Sequence, residues 1–246
     1  MLKPVYSPIL SSIPHLKHGF FTRNGGVSLP PYDSLNMSIL HDNSDHVHEN
    51  RRRVQDFFKA PLVIAKQVHG CDVKKIDHVP TSSLTADGMV NYDNPLVLGV
   101  LTADCVPLLW ADPLSRTTAV THAGWRGTLA GVIENTRAYF NHPPYVAIGP
   151  CIQQKSFEVG HDVYDAFIHK DTQASSFFKP HKDLYLFDLP GYIYGLLKTL
   201  NIMMIDWIQE DTYTLPDKYF SYRRSCHHDQ PNSGNMVSAI IFEKEI

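Results

Sequence analysis

Three residues with metal-binding side chains lie at the predicted ends of β-strands: His69, Cys105 and His122. Functional residues often lie where strands run into loops on a rigid scaffold. One thiolate and two imidazoles suit Zn²⁺, with copper as a softer alternative, and three protein ligands leave a fourth position for water or substrate. A cysteine facing a histidine is also a candidate nucleophile for an acyl or amide carbon. The third interpretation is a free cysteine packed beside two hydrogen-bonded histidines.

Charged and aromatic side chains lie close to these three residues in sequence. Asp104 precedes the cysteine, where it either orients a base and assists proton transfer or caps the end of a strand. The Gly-Trp-Arg-Gly segment 124–127 precedes a predicted helix, whose N-terminus favours an anion. Arg126 adds donors for phosphate and Arg23 is a second candidate, although either is alternatively a structural ion pair. Trp125 either stacks on a ring of the substrate or covers the core.

Two apolar runs within residues 98–128 would position the cysteine and one of the histidines. Such runs, separated by a segment that contains Asp-Pro, predict a β-hairpin. A turn centred between Pro113 and Leu114 makes Cys105 and His122 directly opposed. Opposed residues have Cβ atoms about 4.5–5.5 Å apart, close enough for one metal ion or a thiol–imidazole hydrogen bond. A slip of one residue would place the two side chains on opposite faces.

Hydrophobic periodicity and turn residues predict the remaining elements. Strands are predicted at residues 18–23, 62–68, 71–79 (pairing with 62–68), 96–102, 145–148, 202–208 and 236–242. Helices are predicted at residues 45–59 with Asp45 as N-cap, 128–140 with Thr128 as N-cap, 160–169 and 189–200. Residues 81–94 are predicted to be a loop. Because neither an internal repeat nor a linker-like composition occurs, we expect one domain over residues 1–246.

The composition is that of a globular protein, with 246 residues, 43% hydrophobic and 19% charged. The net charge of −3 gives no reason to expect nucleic acid, and the short run Arg51-Arg52-Arg53 is better explained as a solvated helix face. No apolar run is long enough to span a membrane, and no signal-peptide pattern begins the chain. The four cysteines are widely spaced, so we expect reduced cysteines and a cytoplasmic location.

Several short motifs follow one another along the chain. They are residues 21–28 (FTRNGGVS), 67–70 (QVHG), 86–88 (ADG), 102–107 (TADCVP), 122–128 (HAGWRGT), 148–152 (IGPCI), 157–160 (FEVG) and 221–224 (SYRR). In this order they resemble the YfiH family, also called the laccase-domain or multicopper polyphenol oxidase-like family, from about residue 18 to the C-terminus. The resemblance implies an α/β (α+β) fold, a single domain of layered mixed β-sheets with flanking helices that is structurally related to Cys–His deamidating toxins.

The resemblance also implies a site and an activity. His69, Cys105 and His122 would be metal ligands, with zinc the usual occupant and copper possible. The implied enzyme is a purine nucleoside phosphorylase that takes adenosine, inosine or S-methyl-5′-thioadenosine with phosphate, and that also deaminates adenosine. The alternatives are a Cys–His amide hydrolase, a peptidoglycan-precursor editing enzyme, a copper polyphenol oxidase and a non-enzymatic zinc-stabilised binding module. We expect a monomer or homodimer that binds neither nucleic acid nor membrane.

The requirements of these reactions differ. Phosphorolysis needs groups that hold negative charge, which suits Arg126 and Arg23. Deamination needs a carboxylate that moves protons, and Asp104 is the nearest one in sequence. A multicopper oxidase needs several coppers and roughly ten ligands, whereas this chain offers one three-residue cluster. The chain departs from the family pattern at residues 211–212 (Asp-Thr for Cys-Thr) and 233–235 (Ser-Gly-Asn for Thr-Gly-Arg), and the second departure implies an altered substrate preference.

Overall fold

Short strands with residues buried on both faces form the centre of the protein, as described by a computed structural model that covers residues 2–230 and 232–244. The strands are β1 (Leu16–Phe20), β2 (Leu62–Ile64), β3 (Val73–Lys75), β4 (Gly88–Tyr92), β5 (Val97–Thr102), β6 (Val106–Asp112), β7 (Thr117–Ala123), β8 (Tyr145–Ile148), β9 (Glu158–Val159), β10 (Phe178–His181), β11 (Leu184–Phe187), β12 (Ile205–Trp207) and β13 (Met236–Phe242). The helices are α1 (Pro8–Ser11), α2 (Ser44–Phe58), α3 (Trp125–Ala130), α4 (Val132–Arg137), α5 (His161–Lys170), α6 (Leu189–Thr199) and α7 (Tyr222–His227), with 3₁₀ segments at Gln154–Ser156 and Thr172–Phe177.

These strands form mixed sheets arranged in layers. A four-stranded sheet has the order β1-β13-β5-β2, a six-stranded sheet the order β12-β8-β6-β7-β4-β3, and a three-stranded sheet the order β10-β11-β9. The pairs β2–β5, β3–β4 and β8–β12 are parallel and the others antiparallel. The expected α+β fold, with mixed sheets and flanking helices, is therefore confirmed.

The core explains why the layers hold together. Buried side chains such as Phe20, Leu98 and Leu109 pack between the four-stranded and six-stranded sheets. Helices α4, α5 and α6 cover the other face of the six-stranded sheet around Trp110, and α2 covers the outer face of the four-stranded sheet through Val54. Because β6 and β7 are buried along their whole length, the hairpin that they form is a rigid support for residues at its ends.

The predicted hairpin is present, but its register differs from the prediction. Strands β6 and β7 are antiparallel, and Pro107 lies opposite His122. Cys105 lies in a bend just before β6, so the prediction that it directly opposes His122 is wrong. The two residues nevertheless lie at the same end of the hairpin, because Val106 pairs with Ala123.

The difference in register arises in the turn. Asp112 pairs with Thr117, so residues 113–116 form the connection and its centre lies one residue later than predicted. Asp112 Oδ1 accepts a hydrogen bond from the Leu114 N–H at 2.9 Å, and Oδ2 accepts one from the Ser115 hydroxyl at 2.6 Å. An aspartate that accepts from the backbone two residues on stabilises this kind of turn. The Asp112 side chain thus stabilises the turn at the position that the structure shows.

Two predictions about neighbouring strands are also wrong. Strand β4 lies inside the predicted loop 81–94, and four of its five residues are buried. A short strand buried on both faces lacks the alternation of polar and apolar residues that marks a half-buried strand. Strand β3 pairs in parallel with β4, not with β2, which itself pairs in parallel with β5.

The helix predicted at residues 128–140 is divided into two short helices. Helix α3 begins after Gly124, not after Thr128, and ends at Gly131, whose φ of 97° is in the left-handed region that terminates helices. Helix α2 is capped by Asn43 rather than by Asp45. By contrast, the predicted bounds of β8 and β13 are confirmed, and α5 and α6 lie within one residue of their predicted bounds.

No helix in the described part of the chain combines the length and apolar character that crossing a membrane requires.

Candidate metal centre

The three predicted ligands meet at one end of the β6–β7 hairpin. The donor atoms of His69, Cys105 and His122 all lie within 4.8 Å of one another, and no other group of three or more His, Cys, Asp or Glu residues among residues 2–230 and 232–244 does so. The two imidazole rings are 4.8 Å apart between centroids and inclined at 77°. His122 is buried, Cys105 is half-buried and His69 is exposed, so the cluster is accessible from the side of His69.

The donor set and its surroundings fit a metal ion. Four-coordinate zinc with bonds of about 2.0–2.3 Å separates its ligand atoms by roughly 3.5 Å, so the cluster needs to contract by only about 1 Å. Gly124 makes this close approach possible. A Cβ atom at this position would lie 3.0 Å from Cys105 Sγ and 3.1 Å from His69 Cδ2, which is too close for ordinary packing. Two imidazoles and one thiolate favour zinc or copper over magnesium or calcium.

A buried carboxylate, Asp87, orients two of the three candidate ligands. Its Oδ1 lies 2.8 Å from Nδ1 of His122, which leaves Nε2 of that ring for a metal. The same carboxylate accepts hydrogen bonds from the backbone N–H groups of Val68 (3.1 Å), His69 (2.9 Å) and Gly70 (2.8 Å). These bonds hold the loop in which His69 has a φ of 60°. A carboxylate behind a ligating imidazole is typical of zinc sites.

The thiol and the imidazole of the cluster perturb each other's ionisation. Burial opposes ionisation of Cys105, but the charge of His122 and hydrogen bonds to His122 and His69 lower the pKa of the thiol to about 6. Burial also opposes a charged His122, but the Cys105 sulfur and Asp87 raise the pKa of its imidazole to about 9. The metal-free cluster therefore favours a thiolate, which is the form of cysteine that binds metals.

Asp104 lies next to the cluster but is fully engaged in hydrogen bonds. Its Oδ1 accepts from the Thr212 hydroxyl at 2.6 Å, and its Oδ2 accepts from the Ser221 hydroxyl at 2.9 Å and the Arg223 N–H at 2.7 Å. Its burial raises its pKa, against the effect of these bonds. Its φ of 92° is strained for a residue other than glycine. Asp104 thus connects the cysteine loop to the start of α7, and its role in proton transfer stays a prediction.

A cavity of about 1180 Å³ contains the cluster and is lined by two arginines that rest on aromatic rings. The guanidinium carbon of Arg126 is 4.1 Å from the centre of the Trp125 ring, and that of Arg223 is 5.5 Å from the centre of the Phe157 ring. A guanidinium stacked in this way keeps its N–H edge available for an anion. Tyr222 also lines the cavity.

The charged side chains that line this cavity are mostly cationic. Arg51, Lys66, Arg126 and Arg223 contribute to it, and Asp104 is the sole carboxylate among the described lining residues. These four cationic side chains outnumber the single carboxylate, whose oxygens accept hydrogen bonds from Thr212, Ser221 and the Arg223 N–H. A concave surface with charges of one sign attracts ligands of the opposite sign.

The other predicted arginine, Arg23, does not line this cavity. Its guanidinium donates to the backbone oxygen of Asp33 at 2.7 Å and that of Pro216 at 3.0 Å, and it also pairs with the Asp33 carboxylate at 3.0 Å. It lies over the Phe220 ring. These contacts agree with the alternative interpretation of Arg23, in which it forms a structural ion pair.

Two residues that shape the site, Asp87 and Phe157, receive no role from the sequence. Asp87 belongs to the Ala-Asp-Gly motif, which lies in a predicted loop, and Phe157 is marked only by its membership of the motif 157–160. Arg223 belongs to the segment 221–224, for which the sequence leaves open whether it lines a pocket or flanks a strand, and the structure places Arg223 in the cavity lining. Of the two departures from the family pattern, Asn235 lines the cavity. Asp211 accepts a hydrogen bond from the Ser156 hydroxyl at 2.6 Å and lies outside the cavity lining.

Comparisons with known proteins identify relatives that match most of this chain. The Escherichia coli (strain K12) protein named purine nucleoside phosphorylase YfiH is 40% identical over 225 residues, covering 89% of this chain and 90% of that protein. A Haemophilus influenzae protein named purine nucleoside phosphorylase is 35% identical, with 94% of this chain and 97% of that protein covered.

Solved structures extend the likeness to the fold. Neisseria meningitidis protein NMB0706 has a TM-score of 0.89 and 32% identity, with 99% of each chain covered. The Bacillus licheniformis hypothetical protein YfiH has a TM-score of 0.87 and 28% identity, with 94% of each chain covered. A family model described as multi-copper polyphenol oxidoreductase laccase matches residues 17–243, and with these relatives it shows that the chain belongs to this family, the YfiH or laccase-domain family that its motifs indicated.

Proposed function

We propose that this protein is a metal-dependent purine nucleoside phosphorylase that acts on adenosine, inosine and S-methyl-5′-thioadenosine and deaminates adenosine as a side activity. The observation that carries the proposal is that a candidate metal cluster and two stacked arginines line one cationic cavity. The relatives named purine nucleoside phosphorylase support it, because they match almost the whole length of the chain.

The reaction explains why a cationic cavity is needed. An oxygen of phosphate forms a bond to C1′ of the ribose while the bond from C1′ to N9 of the purine breaks. The purine leaves with the bonding electrons and takes up a proton, which gives ribose 1-phosphate and the free base. The anionic nucleophile and the departing base both carry negative charge, which donors fixed in advance can stabilise. Arg126 binds phosphate in this proposal, and Trp125 packs against a ring of the nucleoside.

The proposed metal ligands are His69, Cys105 and His122, with zinc as the occupant and copper as the alternative. A bound zinc ion supplies Lewis acidity toward an oxygen of the substrate. Asp87 keeps the tautomer of His122 in which Nε2 faces the cluster, because Nδ1 is hydrogen-bonded to its carboxylate. Exposed His69 forms the accessible side of the site.

One observation favours a second candidate function, a Cys–His amide hydrolase. Cys105, His122 and Asp87 follow one another in the order thiol, imidazole and carboxylate, as the nucleophile, base and orienting group of a hydrolase do. In this alternative the thiolate of Cys105 bonds to an amide carbon, the C–N bond breaks as the amine leaves with a proton from His122, and water then hydrolyses the thioester. A metal would inhibit the reaction by occupying the sulfur. The two functions therefore predict opposite effects of zinc.

The test uses purified protein, with its metal content measured, incubated with adenosine in the presence and absence of phosphate. Phosphate-dependent release of adenine and ribose 1-phosphate supports phosphorolysis, whereas inosine as the sole product indicates deamination. Cys105→Ala should lose both metal and activity, while Cys226→Ala, which changes an exposed cysteine outside the cavity, is the matched control. If neither product forms, and Cys105→Ala retains its metal, the proposal is wrong. Amide hydrolysis that appears only after zinc is removed would support the second candidate.

A further inference from the structure

We infer that Arg223 is a second phosphate-binding residue, which acts together with Arg126 on the same oxyanion. The inference rests on the proposed phosphorolysis and deepens it, since it assigns a ligand to a residue of α7 that neither the sequence nor the names of relatives assign. The ligand is a tetrahedral oxyanion, inorganic phosphate.

The first argument is that the guanidinium of Arg223 is available. Its guanidinium carbon lies 5.5 Å from the centre of the Phe157 ring, and no carboxylate within the described ranges pairs with it. The neighbouring Arg224 differs. Its guanidinium donates to the backbone oxygens of Thr212 (2.7 Å), Tyr213 (2.8 Å) and Tyr219 (2.5 Å), and therefore serves the fold. Of these two consecutive arginines, Arg223 is the one that lines the cavity.

The second argument is that Arg223 is fixed relative to the metal cluster. Its backbone N–H donates to Asp104 Oδ2 at 2.7 Å, and Asp104 is bonded directly to Cys105 in the chain. The Ser221 hydroxyl donates to the same oxygen at 2.9 Å, so two bonds hold the beginning of α7 against the cysteine loop. Such a connection sets the position of an anion-binding side chain relative to the metal ligands. Asp104 is in this view a positioning residue.

The third argument comes from the chemistry of phosphate. One arginine can satisfy two oxygens of a phosphate through its planar fork of N–H donors, which leaves other oxygens to be stabilised. Arg126 belongs to α3 and Arg223 to α7, so the two residues line the same cavity from separate elements of the fold. Two such donors can orient phosphate as well as stabilise its charge. Orientation matters because phosphate must attack C1′ from a particular direction.

The experiment compares zinc-loaded wild-type protein with Arg223→Gln and Arg223→Lys. Arg52→Gln is the matched control, because Arg52 is an exposed arginine of α2 that pairs with Glu49 and Asp56 and does not line the cavity. We expect Arg223→Gln to raise the KM for phosphate by at least about tenfold, as for a lost charge-assisted hydrogen bond. The KM for the nucleoside and the zinc content should each change by less than about twofold, because a difference of that size lies within the precision of such comparisons. Arg223→Lys should lie between wild type and Arg223→Gln.

Binding of inorganic phosphate, followed by ³¹P NMR on the same zinc-loaded proteins, separates this inference from the proposed function. If the wild-type protein binds phosphate but cleaves no nucleoside, phosphorolysis is wrong, and loss of phosphate binding in Arg223→Gln still supports Arg223 as a ligand. If cleavage depends on phosphate but Arg223→Gln behaves like Arg52→Gln, the inference about Arg223 is wrong and phosphorolysis stands. The thermal transitions of the variants show whether they are equally folded. If Arg223→Gln is destabilised, phosphate binding by Arg223→Lys is compared with that of wild type instead.

Discussion

Substitution of Asp87 by asparagine should weaken metal binding, although Asp87 is not one of the three candidate ligands. Oδ1 of Asp87 accepts from the His69 N–H and from Nδ1 of His122, and Oδ2 accepts from the N–H groups of Val68 and Gly70. Asn has almost the same shape but replaces one acceptor oxygen with an NH₂ donor. Whichever way the amide turns, two of these four groups lose their acceptor.

The expected loss can be worked out from these contacts. A buried donor left without a partner costs about 1–3 kcal/mol. When the oxygen of the asparagine faces His122, the N–H groups of Val68 and Gly70 lose their acceptor. Because these two residues are not fully buried, the free energy of unfolding of the metal-free protein should fall by about 2 kcal/mol. In the other orientation the NH₂ group favours the tautomer of His122 with its proton on Nε2, which cannot bind a metal. Zinc affinity should therefore fall about 10–100-fold, as for other substitutions behind ligating imidazoles.

The assay is a zinc titration against a chromophoric chelator, combined with urea denaturation of the metal-free protein. Asp112→Asn is the matched control. Asp112 is also a buried carboxylate that hydrogen-bonds a histidine, at 3.1 Å from Nδ1 of His142, but it lies at the opposite end of the hairpin. This control should lose stability without any change in zinc affinity. Asp87→Asn protein that binds zinc within twofold of wild type would refute the reasoning, and equal weakening in both variants would show that the effect is merely one of stability.

Three other outcomes are expected. Gly124→Ala should reduce zinc affinity by about tenfold, because the added Cβ would lie 3.0 Å from Cys105 Sγ. Gly195→Ala, whose added Cβ makes only an ordinary contact at 3.5 Å, should leave zinc affinity unchanged, and zinc titrations of both variants check this. In metal-free protein the depressed pKa of Cys105 means that thiolate predominates above pH 6, so the alkylation rate measured by mass spectrometry should fall as pH drops through about 6, and His122→Asn should move this midpoint upward. Chelation should abolish phosphorolysis but leave one cooperative thermal transition, because the four hydrophobic core clusters pack without the metal. A loss of cooperative unfolding would favour the zinc-stabilised binding module.

The sequence predicted the cluster better than it predicted the geometry that produces the cluster. The proximity of Cys105 and His122 followed from a hairpin whose turn was placed one residue too early. The two residues still meet because Cys105 directly precedes the first residue of β6. Its Sγ lies close to Gly124, which has no Cβ in the way. Strand periodicity identifies the hairpin, but it does not fix the position of the turn. Local hydrogen bonds such as that from the Leu114 N–H to Asp112 stabilise the turn, and they are not visible in hydrophobic patterns.

Asp87 shows why part of the site escaped sequence analysis. An aspartate followed by glycine is typical of a turn, and the next residues, Met89 to Tyr92, are too few to establish a period. Burial of β4 on both faces is a consequence of the surrounding sheets and helices, which the local sequence does not contain. The function of this carboxylate depends on N–H groups about 18 residues earlier and on an imidazole 35 residues later. Residues whose role is to hold others are recognisable only when their partners are in place.

The two carboxylates beside the cluster also favour one reaction over the other. Asp87 accepts four hydrogen bonds and Asp104 accepts three, so proton transfer by either would leave buried donors without partners. Deamination by zinc enzymes depends on a carboxylate that moves protons. Phosphorolysis instead depends chiefly on donors that hold phosphate and stabilise the departing base, and Arg126 and Arg223, which line the cavity, are the proposed donors. The arrangement of charges therefore supports the proposed phosphorolysis as the main reaction, and it predicts that the proposed deamination of adenosine is the slower one.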